Sequence, residues 1–269
     1  MRPSLAVQTV DQLGGHPSVL VRQRLDHAEL DALLEECLRS EGPARAAALR
    51  RTSRLVFSHA FAEEAVLWPM ARWRVPRAAG LTTRIEAEHQ EICELAARLD
   101  AAILGDAGLD APGFERDLRR TAELLRRDAR DEEDLLLPQL QDELGPRELR
   151  WLGRIWSLTR HVAPTRPHPT VSRRPPGNLL SALPLSVLDR ARDRLDAVAL
   201  TSQGPLSRWA RDASGHLARA AGSVERLTVM QVGETVFTRG QLVRRGNSSH
   251  EKEAPRDPDA AAVGGVQRR

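Results

Sequence analysis

The chain has 269 residues, of which 41% are hydrophobic and 3% aromatic, with two cysteines, no tyrosine and a formal net charge of +3. A chain this long can bury a sizeable core unaided, and Cys37 and Cys93 belong to no CxxC pair, so a disulfide-stapled secreted scaffold is excluded. No run of about 18 apolar residues occurs and no cationic leader precedes an apolar run, so we expect a cytoplasmic protein without membrane association.

The first two predicted helices each carry one histidine. Ser18 is a candidate N-cap for the first helix, which runs to about Cys37 and contains His27. Its apolar residues recur at helical spacing and form one broad inner stripe: Val19, Leu20, Leu25, Leu30, Leu33 and Leu34. A second helix is predicted from about Arg45 to Met70 and contains His59.

Two further helices repeat this plan. The third is predicted to begin at Thr82 or Thr83 and contains His89. The fourth runs from about Phe114 to Leu137, contains Asp128 and is predicted to end at Pro138. Four amphipathic helices with short connections indicate an all-α, up-down-up-down four-helix bundle, which we assign to residues 1–160.

The rest of the chain is predicted to be an extension of the bundle. Residues 161–178 form a Pro-rich linker, residues 179–246 a helical C-terminal region, and residues 247–269 a disordered tail without periodicity. Residues 224–246 fit either a helix or a hairpin. Acids and bases are interspersed through most of the chain, so nucleic-acid binding is not expected despite two short Arg-rich segments.

An eleven-residue frame occurs twice. "HAFAEEAVLWP" begins at His59 and "DARDEEDLLLP" begins at Asp128, and both have an acid pair at positions five and six, Leu at nine and Pro at eleven. A further histidine precedes each frame, His27 the first and His89 the second. The bundle therefore has the sequence pattern of a duplicated helix pair.

The frames place potential metal ligands on one helical face. His59 and Glu63 are four residues apart, and Asp128 and Glu132 repeat that spacing, so each pair projects from one face about one turn apart. A bundle core lined by two such pairs and two further histidines can hold two metal ions. The predicted ligands are His27, His59, Glu63, His89, Asp128 and Glu132.

This order of motifs resembles the hemerythrin-like family of HHE cation-binding domains, over about residues 15–160. The resemblance implies a four-helix bundle with a non-haem di-iron site that binds or reacts with dioxygen, peroxide or nitric oxide, or senses iron. The family motif carries over to the three histidines and two glutamates, whereas Asp128 stands where the family has its fourth histidine. The "APTRPHP" stretch, residues 163–169, is similar to the tail that follows this domain in bacterial members.

Asp128 admits two interpretations. As a hard oxygen ligand it would make the ligand set more anionic, favour the ferric state and disfavour reversible oxygen carriage. Alternatively Arg127 or Arg130 pairs with Asp128 outside the core and the metal site has decayed. Three acids beside the predicted ligands are either imidazole partners or exposed bundle acids: Glu64, Glu88 and Glu133.

Two functions of different classes follow from the sequence. The first is a di-iron protein that reacts with a small oxidant or senses iron, whose C-terminal helices bind a partner or form a dimer; whether it turns over a substrate stays open. The second is a metal-free helical interaction protein. No ligand role is expected for the histidines of the predicted linker, C-terminal region and tail: His161, His168, His216 and His250.

Overall fold

The computed structural model describes residues 2–104 and 108–233, and their regular structure is helical, with no strand in these two ranges. Ser18 caps the first helix as predicted, because its hydroxyl accepts a hydrogen bond from the Leu20 N–H. The α-helices, numbered in chain order, are α1 Val19–Arg39, α2 Gly42–Ala62, α3 Trp68–Arg74, α4 Ala78–Leu104, α5 Phe114–Asp131, α6 Leu137–Glu143, α7 Pro146–Val162, α8 Gly177–Thr201 and α9 Gly204–Glu225.

Helices α1, α2, α4 and α5 form a four-helix bundle, which confirms the predicted fold class. The two-residue connection between α1 and α2 makes them antiparallel neighbours. Helices α4 and α5 also pack against each other. One leucine or isoleucine from each helix meets in the middle of the bundle: Leu34, Leu55, Ile92 and Leu125. Leu25, predicted to face inward, is 57% exposed, because it lies about 140° around the helix from buried Leu20.

The prediction that the fourth helix ends at Pro138 is wrong. After α5 the chain makes a π-helical turn, Glu132–Leu136, and continues as α6 to Glu143. A proline lacks an N–H and crowds the carbonyl four residues earlier, and the π turn relieves this by bonding the Leu137 N–H to the Glu132 carbonyl, five residues back. The first frame does the same, with a π turn at Glu63–Leu67 before α3, so its helical path continues past Met70 to Arg74.

Helix α7 packs closely across the start of α1. A Cβ on Gly153 of α7 would lie 2.0 Å from the Pro17 carbonyl oxygen and 2.8 Å from the Val19 nitrogen. Only glycine permits this approach of two backbones. It brings Leu152 and Trp156 of α7 into the core formed by the beginning of α1 and the two π turns, so α7 is part of the same packed unit as the bundle.

The predicted linker packs against the bundle and leads into a helical hairpin. Within it Ala163, Thr165, Arg166 and His168 are buried, and α8 and α9 then pack along each other. The segment predicted as helix or hairpin begins with the end of α9 and a short 3₁₀ turn, Thr228–Gln231; the rest of it and the predicted tail fall outside the described residues. None of the helices described is both long and apolar enough to cross a bilayer.

His168 joins this hairpin to the linker through two carboxylates. Its Nε2 lies 3.0 Å from Asp189 Oδ2 of α8, and its Nδ1 lies 2.9 Å from Glu225 Oε1 of α9. Burial would lower the pKa of His168, but the hydrogen bonds to Asp189 and Glu225 outweigh it and raise the pKa from 6.5 to about 9. The protonated imidazole therefore stabilises the folded state.

The pH dependence of stability should reveal this contribution. Since the folded pKa exceeds the unfolded one, the stabilisation is complete below about pH 6.5 and is lost as pH rises through about 9. Between these limits we expect metal-free wild-type protein to lose up to about 3 kcal/mol more unfolding free energy than His168→Gln. Urea denaturation across this range measures the difference, and parallel curves for the two proteins would contradict the prediction.

Candidate metal centre

The structure brings all six predicted ligands together in the interior of the bundle, and each is buried. His59 Nε2 lies 2.9 Å from Glu63 Oε1, His27 Nε2 lies 3.2 Å from Glu132 Oε2, and His89 Nε2 lies 3.0 Å from Asp128 Oδ2. Four helical segments therefore place three imidazoles and three carboxylates close together in the bundle interior.

The six residues divide into two adjacent groups that share one carboxylate. The first group is His27, His59, Glu63 and Glu132; the second is His89, Asp128 and Glu132. Within each group one ligand atom per residue lies within 4.8 Å of the others, which is close enough for the atoms to surround a single cation. Glu132 lies in both groups, so its two oxygens could each face a different ion.

The π turns determine where the two glutamates stand. Glu63 and Glu132 are each the first residue of a π turn, and each precedes the proline of its frame by six residues. The wider turn follows from the proline, as described above. In both frames the proline and the buried glutamate are therefore linked, because the π turn that accommodates the proline begins at that glutamate.

Each of the three imidazoles has its other ring nitrogen, Nδ1, at hydrogen-bond distance from a second carboxylate. The Nδ1 to oxygen distances are 2.8 Å for His27 with Glu133, 2.9 Å for His59 with Asp26 and 2.9 Å for His89 with Glu64. In a neutral imidazole with its proton on Nδ1, the Nε2 lone pair would face the centre, which is the arrangement of histidines that bind metal.

Two of the three acids that the sequence offered as imidazole partners contact an imidazole in the structure. A further imidazole partner, Asp26, was not predicted from the sequence. Glu64 and Glu133 contact imidazoles, whereas Glu88 pairs with Arg127 at 3.2 Å. Asp26 was missed because it precedes His27 in α1 and projects about 100° away from it. Only the packing of α1 on α2 shows that Asp26 contacts the imidazole of His59.

Asp128 faces the interior and does not form the outward ion pair that would indicate decay. Its Oδ2 contacts His89 Nε2, while Arg127 is paired with Glu88 and the Arg130 side chain is exposed. The aspartate thus occupies the position in the second frame that His59 occupies in the first, and its carboxylate faces the centre.

The ionisation of the first group is dominated by mutual attraction. Burial would lower the pKa of His59, but the Glu63 carboxylate and the hydrogen bond to Asp26 outweigh it and raise the pKa to about 9. Burial would likewise raise the pKa of Glu63, but the charge of His59 outweighs it and lowers the pKa to about 2. In the metal-free protein these two side chains therefore form an ion pair at neutral pH.

The second group is crowded with negative charge. Burial raises the pKa of Glu132 well above its ordinary value, and the nearby Glu63 and Asp128 carboxylates raise it further. Burial would lower the pKa of His89, but Asp128 outweighs it and raises that pKa. The second group therefore has two carboxylates and only one histidine.

The buried oxygens of the centre are chemically incomplete. Glu63 Oε2, Asp128 Oδ1 and both oxygens of Glu132 have no hydrogen-bond partner among the described residues. Buried carboxyl oxygens without partners are costly, and a cation is a group that satisfies them. Imidazole nitrogens with carboxylate oxygens are a ligand set suited to iron, manganese or zinc, so these residues fit a metal centre.

A small apolar cavity adjoins the three histidines and Asp128. It measures about 20 Å³, room for a molecule of the size of water. The rest of its lining is mostly apolar and comes from α1, α2 and α5, including Leu30, Leu55, Val56, Ala60, Leu125 and Ala129. Only a very small ligand can reach the centre from this side without displacing side chains.

Comparison with known proteins gives one family. A family model described as hemerythrin HHE cation binding domain matches residues 19–140, a range that contains all six residues of the centre and ends within α6. No curated protein and no solved structure matches the chain. Helices α7, α8 and α9 lie beyond the matched range.

Proposed function

Because residues 19–140 match the hemerythrin HHE cation binding domain, we propose that the centre holds two non-haem iron ions. We propose further that the protein reacts with dioxygen, peroxide or nitric oxide, or senses iron or redox state. The single observation that supports this most strongly is Glu132, a buried carboxylate shared by two adjacent ligand groups, with neither oxygen hydrogen-bonded.

Each ligand group would hold one ion. His27, His59 and Glu63 would hold the first, His89 and Asp128 the second, and Glu132 would bridge them. Bound iron would supply electron transfer and an open position for a small oxidant. The chain itself supplies the Nδ1–H hydrogen bonds that orient the three imidazoles, and an apolar cavity that limits the water and the size of ligand at the centre.

A surface groove supports access by a small molecule. The groove runs between α1 and α5, and it shares four lining residues with the inner cavity: His27, Leu30, Leu125 and Ala129. Charged and apolar side chains both line the groove, and the inner cavity that it adjoins is lined mostly by apolar side chains. The small volume of the inner cavity, about 20 Å³, favours a diatomic ligand over a bulky organic substrate.

Asp128 would direct the chemistry of the centre. A carboxylate in place of imidazole adds negative charge to the ligand set, which favours ferric over ferrous iron and lowers the reduction potential. We therefore propose oxidation or peroxide chemistry, or redox sensing, in preference to reversible oxygen carriage.

One observation favours the alternative of a metal-free scaffold. Each imidazole Nε2 already lies within 3.2 Å of a carboxylate oxygen, so the histidines can be paired without a metal. In that case the centre would act as a buried ionic network that specifies the bundle, and the C-terminal helices would carry the function.

Iron content distinguishes the two functions. We expect about two irons per chain in wild-type protein expressed with added iron, with ferric absorption in the near ultraviolet. Asp128→Ala should retain about one, because the second group would keep only His89 and the shared Glu132. Asp128→His should keep its iron and show a higher reduction potential.

Asp131→Ala is a matched control for this series. Asp131 lies on the same helix but pairs with Arg84, so this variant should bind iron as the wild type does. Iron bound by Asp128→His but not by wild type would show that the second frame has lost its metal, and the scaffold function would stand.

A further inference from the structure

Two arginines from beyond the matched domain contact the carboxylates that orient the imidazoles. The first is Arg160 of α7, whose Nη1 lies 2.5 Å from Asp26 Oδ2. The same Asp26 oxygen lies 2.9 Å from His59 Nδ1. A guanidinium, a carboxylate and an imidazole therefore follow one another in a line of direct contacts that ends at the centre.

The second arginine is Arg173, from the segment between α7 and α8. Its Nη1 lies 3.7 Å from Glu64 Oε2, and the other oxygen of Glu64 lies 2.9 Å from His89 Nδ1. Arg173 is held in place by hydrogen bonds to Gln90 Oε1, at 3.1 and 3.2 Å, and to the His89 carbonyl at 3.4 Å. Its side chain is only 12% exposed, so its charge acts with little screening by solvent.

The third imidazole has no such arginine. His27 is bonded to Glu133 at 2.8 Å, and in residues 2–104 and 108–233 no arginine forms an ion pair with Glu133. The three imidazole partners are therefore unequal: Asp26 and Glu64 each face a guanidinium, and Glu133 does not.

The charge of an arginine alters the metal through the carboxylate it contacts. A guanidinium draws electron density from the carboxylate, which then accepts the Nδ1–H more weakly, and the imidazole becomes a poorer electron donor at Nε2. The positive charge itself also disfavours the higher oxidation state of a nearby ion. Both effects raise the reduction potential, against the effect of Asp128.

We propose that Arg160 and Arg173 are positioning residues through which the C-terminal part of the chain raises the reduction potential of the metal centre. The inference rests on the proposed iron site and deepens it. It means that the isolated HHE bundle and the full chain differ electrostatically at the centre, and that a partner able to displace the segment carrying Arg173 would change the reactivity of the iron.

A role in packing alone is the competing explanation. Arg160 also stacks over the Trp156 ring at 4.8 Å and donates to Ser58 Oγ at 3.3 Å, so its loss affects packing as well as charge. Arg174 is the matched control for Arg173. It is the next residue of the same segment and pairs closely with buried Glu86, at 2.6 Å, but Glu86 contacts no histidine of the centre.

The test is the reduction potential of iron-loaded full-length protein. We expect a more negative potential in Arg160→Met and Arg173→Met than in wild type, at unchanged iron content, and a potential close to that of wild type in Arg174→Met. Arg173→Lys should recover part of the shift, because it restores the charge but not the planar contacts. Potentials for Arg160→Met and Arg173→Met equal to that of Arg174→Met would overturn the proposal.

A second measurement keeps the inference separate from the proposed function. If wild-type protein binds no iron, the iron site fails, and the positioning role is then decided in metal-free protein by ¹⁵N-histidine NMR. Arg173→Met should move the hydrogen-bonded Nδ1–H proton of His89 further downfield, because Glu64 becomes a stronger acceptor, while Arg174→Met leaves it in place. An unmoved resonance in Arg173→Met would overturn the positioning role.

Discussion

Glu132→Gln is expected to abolish metal binding at both positions without unfolding the bundle. Glu132 is the residue common to the two ligand groups, and an uncharged amide is a poor bridge between two cations. Loss of an outer partner of a ligand already weakens binding 10- to 100-fold, so loss of the shared ligand should raise the Kd for Fe²⁺ by more than about 100-fold. Anaerobic Fe²⁺ titration and the iron content of the purified protein measure this.

In metal-free protein the same substitution should increase stability. Burial and the neighbouring carboxylates raise the pKa of Glu132 well above its ordinary value, so the readier ionisation of Glu132 in the unfolded chain favours unfolding of the metal-free protein at neutral pH. A glutamine cannot ionise in either state, so the substitution should increase the unfolding free energy of the metal-free protein. A variant that binds less iron yet is more stable without iron identifies a metal ligand, since a packing defect would lower both quantities.

Glu88→Gln is the matched control for this experiment. Glu88 is a partly buried glutamate that pairs with Arg127 and lies outside both ligand groups, so its replacement should leave iron content near the wild-type value. Wild-type iron content in Glu132→Gln would refute the assignment of Glu132 as the bridge.

Arg166→Met is expected to cause the largest loss of stability among the substitutions outside the centre. Arg166 is 4% exposed, and its guanidinium contacts Asp100 of α4 together with Asp193 and Asp196 of α8. These three carboxylates raise its pKa above the ordinary arginine value against the cost of burial. Removing one partner of a buried ion pair leaves uncompensated charge and costs about 3–5 kcal/mol.

Arg54→Met is the control that distinguishes a buried ion pair from an exposed one in its effect on stability. Arg54 also contacts Asp193, at 3.1 Å, but its side chain is 57% exposed, so its removal should cost less than about 1 kcal/mol. Denaturation by urea gives both free energies, and limited proteolysis of Arg166→Met should show α8 and α9 cut before the bundle. Equal losses in the two variants would contradict the anchoring role of Arg166.

The fold could be predicted because helices are encoded by local pattern. Leucine spacing, the Ser18 cap and the short connections each act over a few residues, and together they are sufficient for a four-helix bundle. The prediction that a helix ends at Pro138 was wrong because the penalty of an interior proline assumes α-helical spacing, and the π turn beginning at Glu132 removes the conflict.

The meeting of these six side chains in the bundle interior could be predicted for a related reason. His59 and Glu63, and again Asp128 and Glu132, are four residues apart in duplicated frames, so helical geometry alone places each pair on one face. Whether Asp128 turns inward or pairs with Arg127 could not be predicted, because both choices are compatible with its position on α5. Helix packing determines that Asp128 turns inward. Helix α4 brings His89 within 3.0 Å of Asp128, and Glu88 of the same helix forms an ion pair with Arg127.

By itself the sequence determined the helical bundle, the duplicated frame and the six residues that meet in the core, because these depend on spacings within single helices. The tertiary structure alone decided which carboxylate serves which imidazole, that Glu132 is shared, and that Arg160 and Arg173 extend the centre into the C-terminal part of the chain. Asp26 and Arg160 are 134 residues apart, and hydrogen bonds across such distances depend on how helices pack, which no local periodicity records.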